Sequence, residues 1–196
     1  MLTELEKQLL AKLDRLKPSA RTVFAAACAQ RLFRSYETAA EKQDERNFMA
    51  VRAILERLWE ELLKNMPAGP ETETDLQICL KMIPAESDGS WVVGQSIAED
   101  ALATLAYALR CHRSGSSQEA LWASRRVCEA IDAYVVEKDN IDVNAKGSVE
   151  RILGHPLMQA ELLRQETDID DLLQGSVDIA MIRSRAIHDV IDFCAL

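Results

Sequence analysis

The chain has 196 residues, 48% of them apolar and only 5% aromatic, and its 23 Lys+Arg against 32 Asp+Glu leave a net charge of −9. That length suits one ordinary domain, residues 1–196, which can bury a core without a disulfide or structural metal as a staple. The acidic balance argues against nucleic-acid binding, which needs clustered Lys and Arg to release counterions. No apolar run approaches the length of a membrane span, the N-terminus mixes charge with leucine where a secretory signal would be continuously apolar, and the five cysteines form no C-x-x-C pair. The expectation is a cytoplasmic protein with reduced thiols, no membrane contact and no nucleic-acid partner.

Seven glycines and five prolines fall in few places, so the natural reading is long helices with short connections. Leu2, Leu5, Leu9, Leu13 and Leu16 lie at helical spacing, and Pro18 ends that first helix near Lys17. Ser19 is read as the N-cap of a second helix carrying Val23, Phe24, Ala27, Cys28, Leu32 and Tyr36, and the polar stretch 41–47 separates it from a third. In the third, Phe48, Val51, Ile54, Leu55, Leu58, Trp59 and Leu62 share one sector at about 100° per residue, opposite Arg52, Glu56, Arg57 and Glu60. It runs to about Asn65, where Pro67, Gly69 and Pro70 stop it.

A shorter fourth helix is expected near Thr74–Ile83, then a loop over 86–90. From Val92 to about Arg113 the chain is apolar over much of its circumference, as at the centre of a bundle. The turn Ser114-Gly115-Ser116-Ser117 leads into a helix over Gln118–Glu137 and predicts an antiparallel hairpin. The stretch 139–147 reads as a loop. Pro156 suits the first turn of a helix that Gly175 closes near Gln174, and Ser176 opens a last helix over Val177–Phe193. No stretch alternates with a period of two. The fold class is therefore all-α, a single-domain bundle of about seven or eight helices.

With the helices placed, the motifs form a set. L-D-R-L-x7-F-A-A-A-C-A-Q-R-L-F-R-S-Y in 13–36, I-L-E-R-L-W-E-E-L in 54–62, I-P-A-E-S-D-G-S-W in 83–91, A-E-D-A-L-A-T-L-A-Y-A-L in 98–109 and H-P-L-M-Q-A-E-L in 155–162 resemble, in this order, the YjaG-like family of uncharacterised bacterial proteins. The resemblance covers nearly the whole chain, loosens after about Asp178, implies an all-helical fold, and carries no catalytic residue with it.

Tests for chemistry return little. Glu56 and Glu60 share a helical face, but it lies opposite the apolar sector among arginines, as in a solvated ion-pair lattice. His188 lies one turn from Ser184 and Asp192, yet three side chains in a row on one helix offer no separate oxyanion site, and His155 before Pro156 reads as a cap. Asn140-x-Asp142-x-Asn144 begins like a calcium loop but has Ala145 and Arg151 where Gly and Glu belong. Phosphate-binding glycine loops and the G-x-S-x-G elbow do not occur. Asp168, Asp170 and Asp171 are expected to cover the polar side of their helix. No catalytic, metal-binding or cofactor-binding residue is nominated.

Three residues remain as candidate binding positions. Asp100 flanks the apolar sector of its helix close in angle to Thr104 and Tyr107, and a carboxylate there must be paired, hydrogen-bonded or shifted in pKa. Trp122 falls on the polar side of its own helix among Arg126, Glu129 and Ala133, where it either packs under another element or anchors an interface. Charge is uneven as well: residues 1–65 hold 12 Lys+Arg and 10 Asp+Glu, and 66–196 hold 11 and 22. The first expectation is a non-enzymatic module that binds a protein partner or itself through its acidic later part. The alternative is a small-molecule binder or enzyme with its site between helices near Asp100 and Tyr107.

Overall fold

A computed structural model describes residues 4–40, 45–83, 93–175, 177–191 and 193, with the side chains of 39–40, 45–47 and 93–97 left out. The expected loop over 86–90, the motif over 84–91, the polar stretch 41–44, Ser176, Asp192 and Cys194 lie outside the described residues. The described chain is helical, with no strand among those residues: α1 Glu4–Arg15, α2 Pro18–Ala40, α3 Glu45–Leu63, α4 Pro70–Met82, α5 Val93–Ser114, α6 Ser117–Lys138, α7 Ser148–Leu153, α8 Pro156–Gln174 and α9 Ile179–His188. The expected count of seven or eight falls short of the nine described here, because α7 has six residues, too few for a period to stand out against its loop.

The core is built around α2. Every residue from Thr22 to Phe33 is buried, and Ala25, Ala26, Ala27 and Ala29 let neighbouring helices approach closely. α2 packs against α5, α6, α3, α9 and α8, and α5, central as expected, packs against α2, α6, α4 and α3, so the two helices share the centre. Ala-rich sequence has a weak hydrophobic signature, and for that reason α5 with its leucines looks the more buried of the two on paper. Opposite α2, α3 turns Val51, Ile54, Leu55, Leu58, Trp59 and Leu62 inward, as the sector predicts, and Trp59 donates its indole N–H to Gln30 Oε1 at 2.9 Å.

Helix ends differ from the sequence reading in four places. α2 begins at Pro18 itself, not after a Ser19 cap: proline lacks an N–H, which the first turn of a helix does not need. Arg21 then reaches back to cap α1, donating to Leu13 O and Asp14 O, each at 2.9 Å. Likewise Pro70 opens α4 instead of only ending α3, four residues before the expected Thr74. Asp178, whose side chain accepts from Ala180 N, is the N-cap of α9 in place of Ser176. That helix stops at His188, short of Phe193, because the chain turns to pair with α2: Ile191 N–H donates to Arg31 O at 2.9 Å and Ser35 Oγ to Ile191 O.

The α5–α6 hairpin forms as expected. Gly115 turns at φ +66°, and a Cβ there would come within 2.7 Å of Pro18 Cβ, so only glycine fits. Arg21 donates to Gly115 O at 2.8 Å and ties this turn to α2. At the far end of α8, Gly175 supplies the left-handed cap at φ +62°.

Candidate functional site

Two polar constellations stand out, one along the α5–α6 seam and one between α2, α8 and α9. All three candidate residues from the sequence lie on the seam. Because α5 and α6 run antiparallel, Asp100 comes opposite Arg126 while Tyr107 comes opposite Trp122. Arg126 Nη1 donates to Asp100 Oδ1 at 3.3 Å and also pairs with Glu129 at 3.2 Å. Thr104 does not reach the Asp100 carboxylate; its hydroxyl donates to the Asp100 carbonyl at 2.6 Å. Burial pushes the Asp100 carboxyl up to about 6, Glu129 and Glu99 add to this, and Arg126 opposes it.

Tyr107 and Trp122 are half-buried against each other, with ring centroids 5.5 Å apart and planes tilted by 49°. The Arg110 guanidinium lies 5.7 Å from the Tyr107 ring centroid, a cation–π contact. Trp122 is thus neither a core residue nor a bare anchor. One face packs on α5 and the rest stays at the surface, the partial burial common for aromatics at interfaces.

The second constellation overturns the expectation for Asp168. Its side chain is 5% exposed, not solvated, and accepts from Arg31 Nη1 and Arg185 Nη2, each at 2.8 Å. Arg31 donates through Nε and Nη2 to Glu161 Oε1 at 3.1 and 2.9 Å, with both side chains essentially inaccessible. Gln165 Nε2 donates to the same oxygen at 2.8 Å, Ser124 Oγ donates to Gln165 Oε1 at 2.6 Å, and Arg185 Nη1 reaches Asp171 at 2.6 Å. Burial works against the Arg31 charge, but Glu161 and Asp168 outweigh it and hold the guanidinium above its ordinary value. The other oxygen of Glu161, Oε2, is buried without a hydrogen bond among the described residues.

A cleft of about 300 Å³ opens beside this network, with the buried Arg31 and Asp168 at its base and Ala160, Leu163, Arg164, Thr167, Arg185, Ala186 and Asp189 around it. It lies away from Asp100 and Tyr107, where the alternative reading expects a site. Cys28 and Cys128 border the network, and burial pushes Cys128 up to about 12 and Cys28 higher still, so both are thiols near neutral pH. Glu161, Gln165 and Asp168 recur at helical spacing among Met158 and Ile169, a polar stripe inside an apolar face. That stripe is the signal by which the network could have been found.

The histidines lie outside both constellations. His155 caps α8, its Nδ1 accepting from Leu157 N, as expected. His112 pairs with Glu61 at 2.9 Å, and His188 Nδ1 lies 2.6 Å from Ser184 O. Of the paired glutamates of α3, Glu56 binds Arg183 of α9 and Glu60 binds Lys64 at 3.3 Å.

Residues 8–188 match the family described as protein of unknown function, DUF416. Among solved structures, the chain is similar to a DUF416 family protein from Shewanella baltica OS155, with a TM-score of 0.80 at 17% identity over 94% of this chain and 95% of that one. At that identity the likeness carries the fold alone. No curated protein matches.

Proposed function

We propose, from the premise that this chain belongs to the DUF416 family, that it is a non-enzymatic protein-interaction module that docks a partner through the α5–α6 seam. The observation that supports this is the Tyr107–Trp122 pair, half-buried at 5.5 Å and flanked by Arg110 on one side and the Asp100–Arg126–Glu129 group on the other. Two rigid aromatic rings offer a large contact area at small entropy cost, and the charged flanks give a rim that fixes orientation. With 22 acidic and 11 basic residues after position 65, the later part of the chain favours a partner with a basic face. The motif order over 13–162 supports a finer placement within the family, among its YjaG-like bacterial members, and five cysteines without a C-x-x-C pair support a cytoplasmic setting.

The test is affinity capture with the full chain from its host, alongside sedimentation to detect a second copy of itself. Trp122→Ser should lose the captured partner or the self-association while keeping the helical circular dichroism spectrum. Undiminished capture or self-association by folded Trp122→Ser and Tyr107→Ser overturns the reading.

A further inference from the structure

We propose that the cleft between α8 and α9 binds a small zwitterion, a free α-amino acid with a short aliphatic side chain. It stands on different elements from the α5–α6 seam, so either reading can fail without the other.

Arg164 and Asp189 carry the argument. They lie side by side at the cleft, Arg164 on α8 and Asp189 at the C-cap of α9, with Arg164 Nε 3.8 Å from Asp189 Oδ2. That separation is an ion pair without a hydrogen bond. On its other side Arg164 Nη1 lies 4.0 Å from Glu161 Oε2, the buried oxygen that lacks a hydrogen bond among the described residues. Among those residues the guanidinium of Arg164 therefore donates to nothing and the carboxylate of Asp189 accepts nothing through its side chain. Both are partly accessible, with side-chain exposures of 29% and 44%. A cation with unused donors and an anion with unused acceptors, fixed side by side at the mouth of a cleft, match the two ends of one amino acid. Its carboxylate would lie against Arg164 and its ammonium against Asp189, each exchanging water for a charge-assisted hydrogen bond.

The remaining walls agree with that ligand. Ala160 and Leu163 give an apolar surface for a short branched side chain, and Leu163 is 65% exposed at the rim. The base is held by paired charges: Asp168 accepts from both Arg31 and Arg185, which also donate to Glu161 and Asp171 respectively, so these side chains are fixed in place. Arg31 and Arg185 already answer the buried carboxylates of Glu161 and Asp168, which leaves Arg164 and Asp189 as the one pair of opposite charges that a ligand can engage. A zwitterion offers an opposite charge to both Arg164 and Asp189, whereas a phosphate dianion would pair with Arg164 and set a like charge against Asp189.

The test uses the full chain and calorimetric titration with L-valine, alongside isovalerate, isobutylamine and inorganic phosphate. L-valine should bind saturably, and the analogues lacking its ammonium or its carboxylate should bind at least about tenfold more weakly. Arg164→Gln and Asp189→Asn should each weaken L-valine by at least about tenfold. Ala160→Met, which fills the apolar wall and leaves every charge in place, should abolish binding without changing the circular dichroism spectrum. If Arg164→Gln does not fold, Asp189→Asn and Ala160→Met decide. Absence of L-valine binding, equal binding of either single-charge analogue, tighter binding of phosphate, or unchanged binding in the folded variants would each overturn the proposal.

Discussion

The α5–α6 seam and the α2–α8–α9 network use the same residue types in opposite settings. On the seam, Arg126 is 41% exposed and shares itself between Asp100 and Glu129 within reach of water. In the network, Arg31 and Glu161 are 1% and 0% exposed, and hydrogen bonds supply what water no longer can. An Arg–carboxylate pair has no fixed worth. At the surface the charges are already solvated and pairing them gains little; inside, each charge depends on its partner and removal of one strands the other.

The largest expected effect tests the buried side. Arg31→Met replaces the guanidinium with an apolar chain of similar length and leaves Glu161 without its main donor. It should lower unfolding stability by about 3–5 kcal/mol in urea melts. A loss below about 1 kcal/mol would put the network on a par with the seam and break the contrast.

Asp100 sharpens the comparison from the seam, because it is the one seam carboxylate well buried. Its carboxyl is raised from 3.8 to about 6 in the folded chain, so the stability that its protonated form contributes is complete below 3.8 and lost as pH rises through about 6. Asp100→Asn does not titrate. Relative to the native chain it should therefore gain, on the order of 2 kcal/mol, between about pH 4 and about pH 7, read as paired thermal melts. A difference independent of pH would mean that Arg126 holds the carboxylate charged throughout.

Asp178→Ala removes the side-chain cap of α9, the helix that brings Arg185 to the network. A loss of about 1 kcal/mol is expected in urea melts. Smallest of all should be Arg126→Gln, below about 1 kcal/mol, with the difference from the native chain shrinking further in high salt. If it costs as much as Arg31→Met, exposure is not what separates the two regions.

Much of the fold is legible along the chain because helical burial leaves a local trace. The apolar sector of α3, the Gly115 turn of the α5–α6 hairpin and the Pro156 and Gly175 bounds of α8 each follow from residues within a turn or two of one another. The network is not legible in this way. Arg31 and Glu161 are 130 positions apart, and nothing near Asp168 says that Arg31 and Arg185 will arrive to pair with it. Read alone, its neighbours Asp170 and Asp171 make it look like part of a solvated acid run. Trp122 is intermediate: its place on a polar helix face is local information, whereas its aromatic partner Tyr107 follows only once the hairpin closes.

By itself the sequence determined the longer helices, most of their ends and the apolar faces that turn inward, since these depend on spacing, proline and glycine within single segments. Tertiary structure alone decided which charges are buried, which arginine meets which carboxylate, and where a cleft opens. Those outcomes depend on distances between segments far apart in the chain, and a charge acquires its energetic weight only when packing takes its water away.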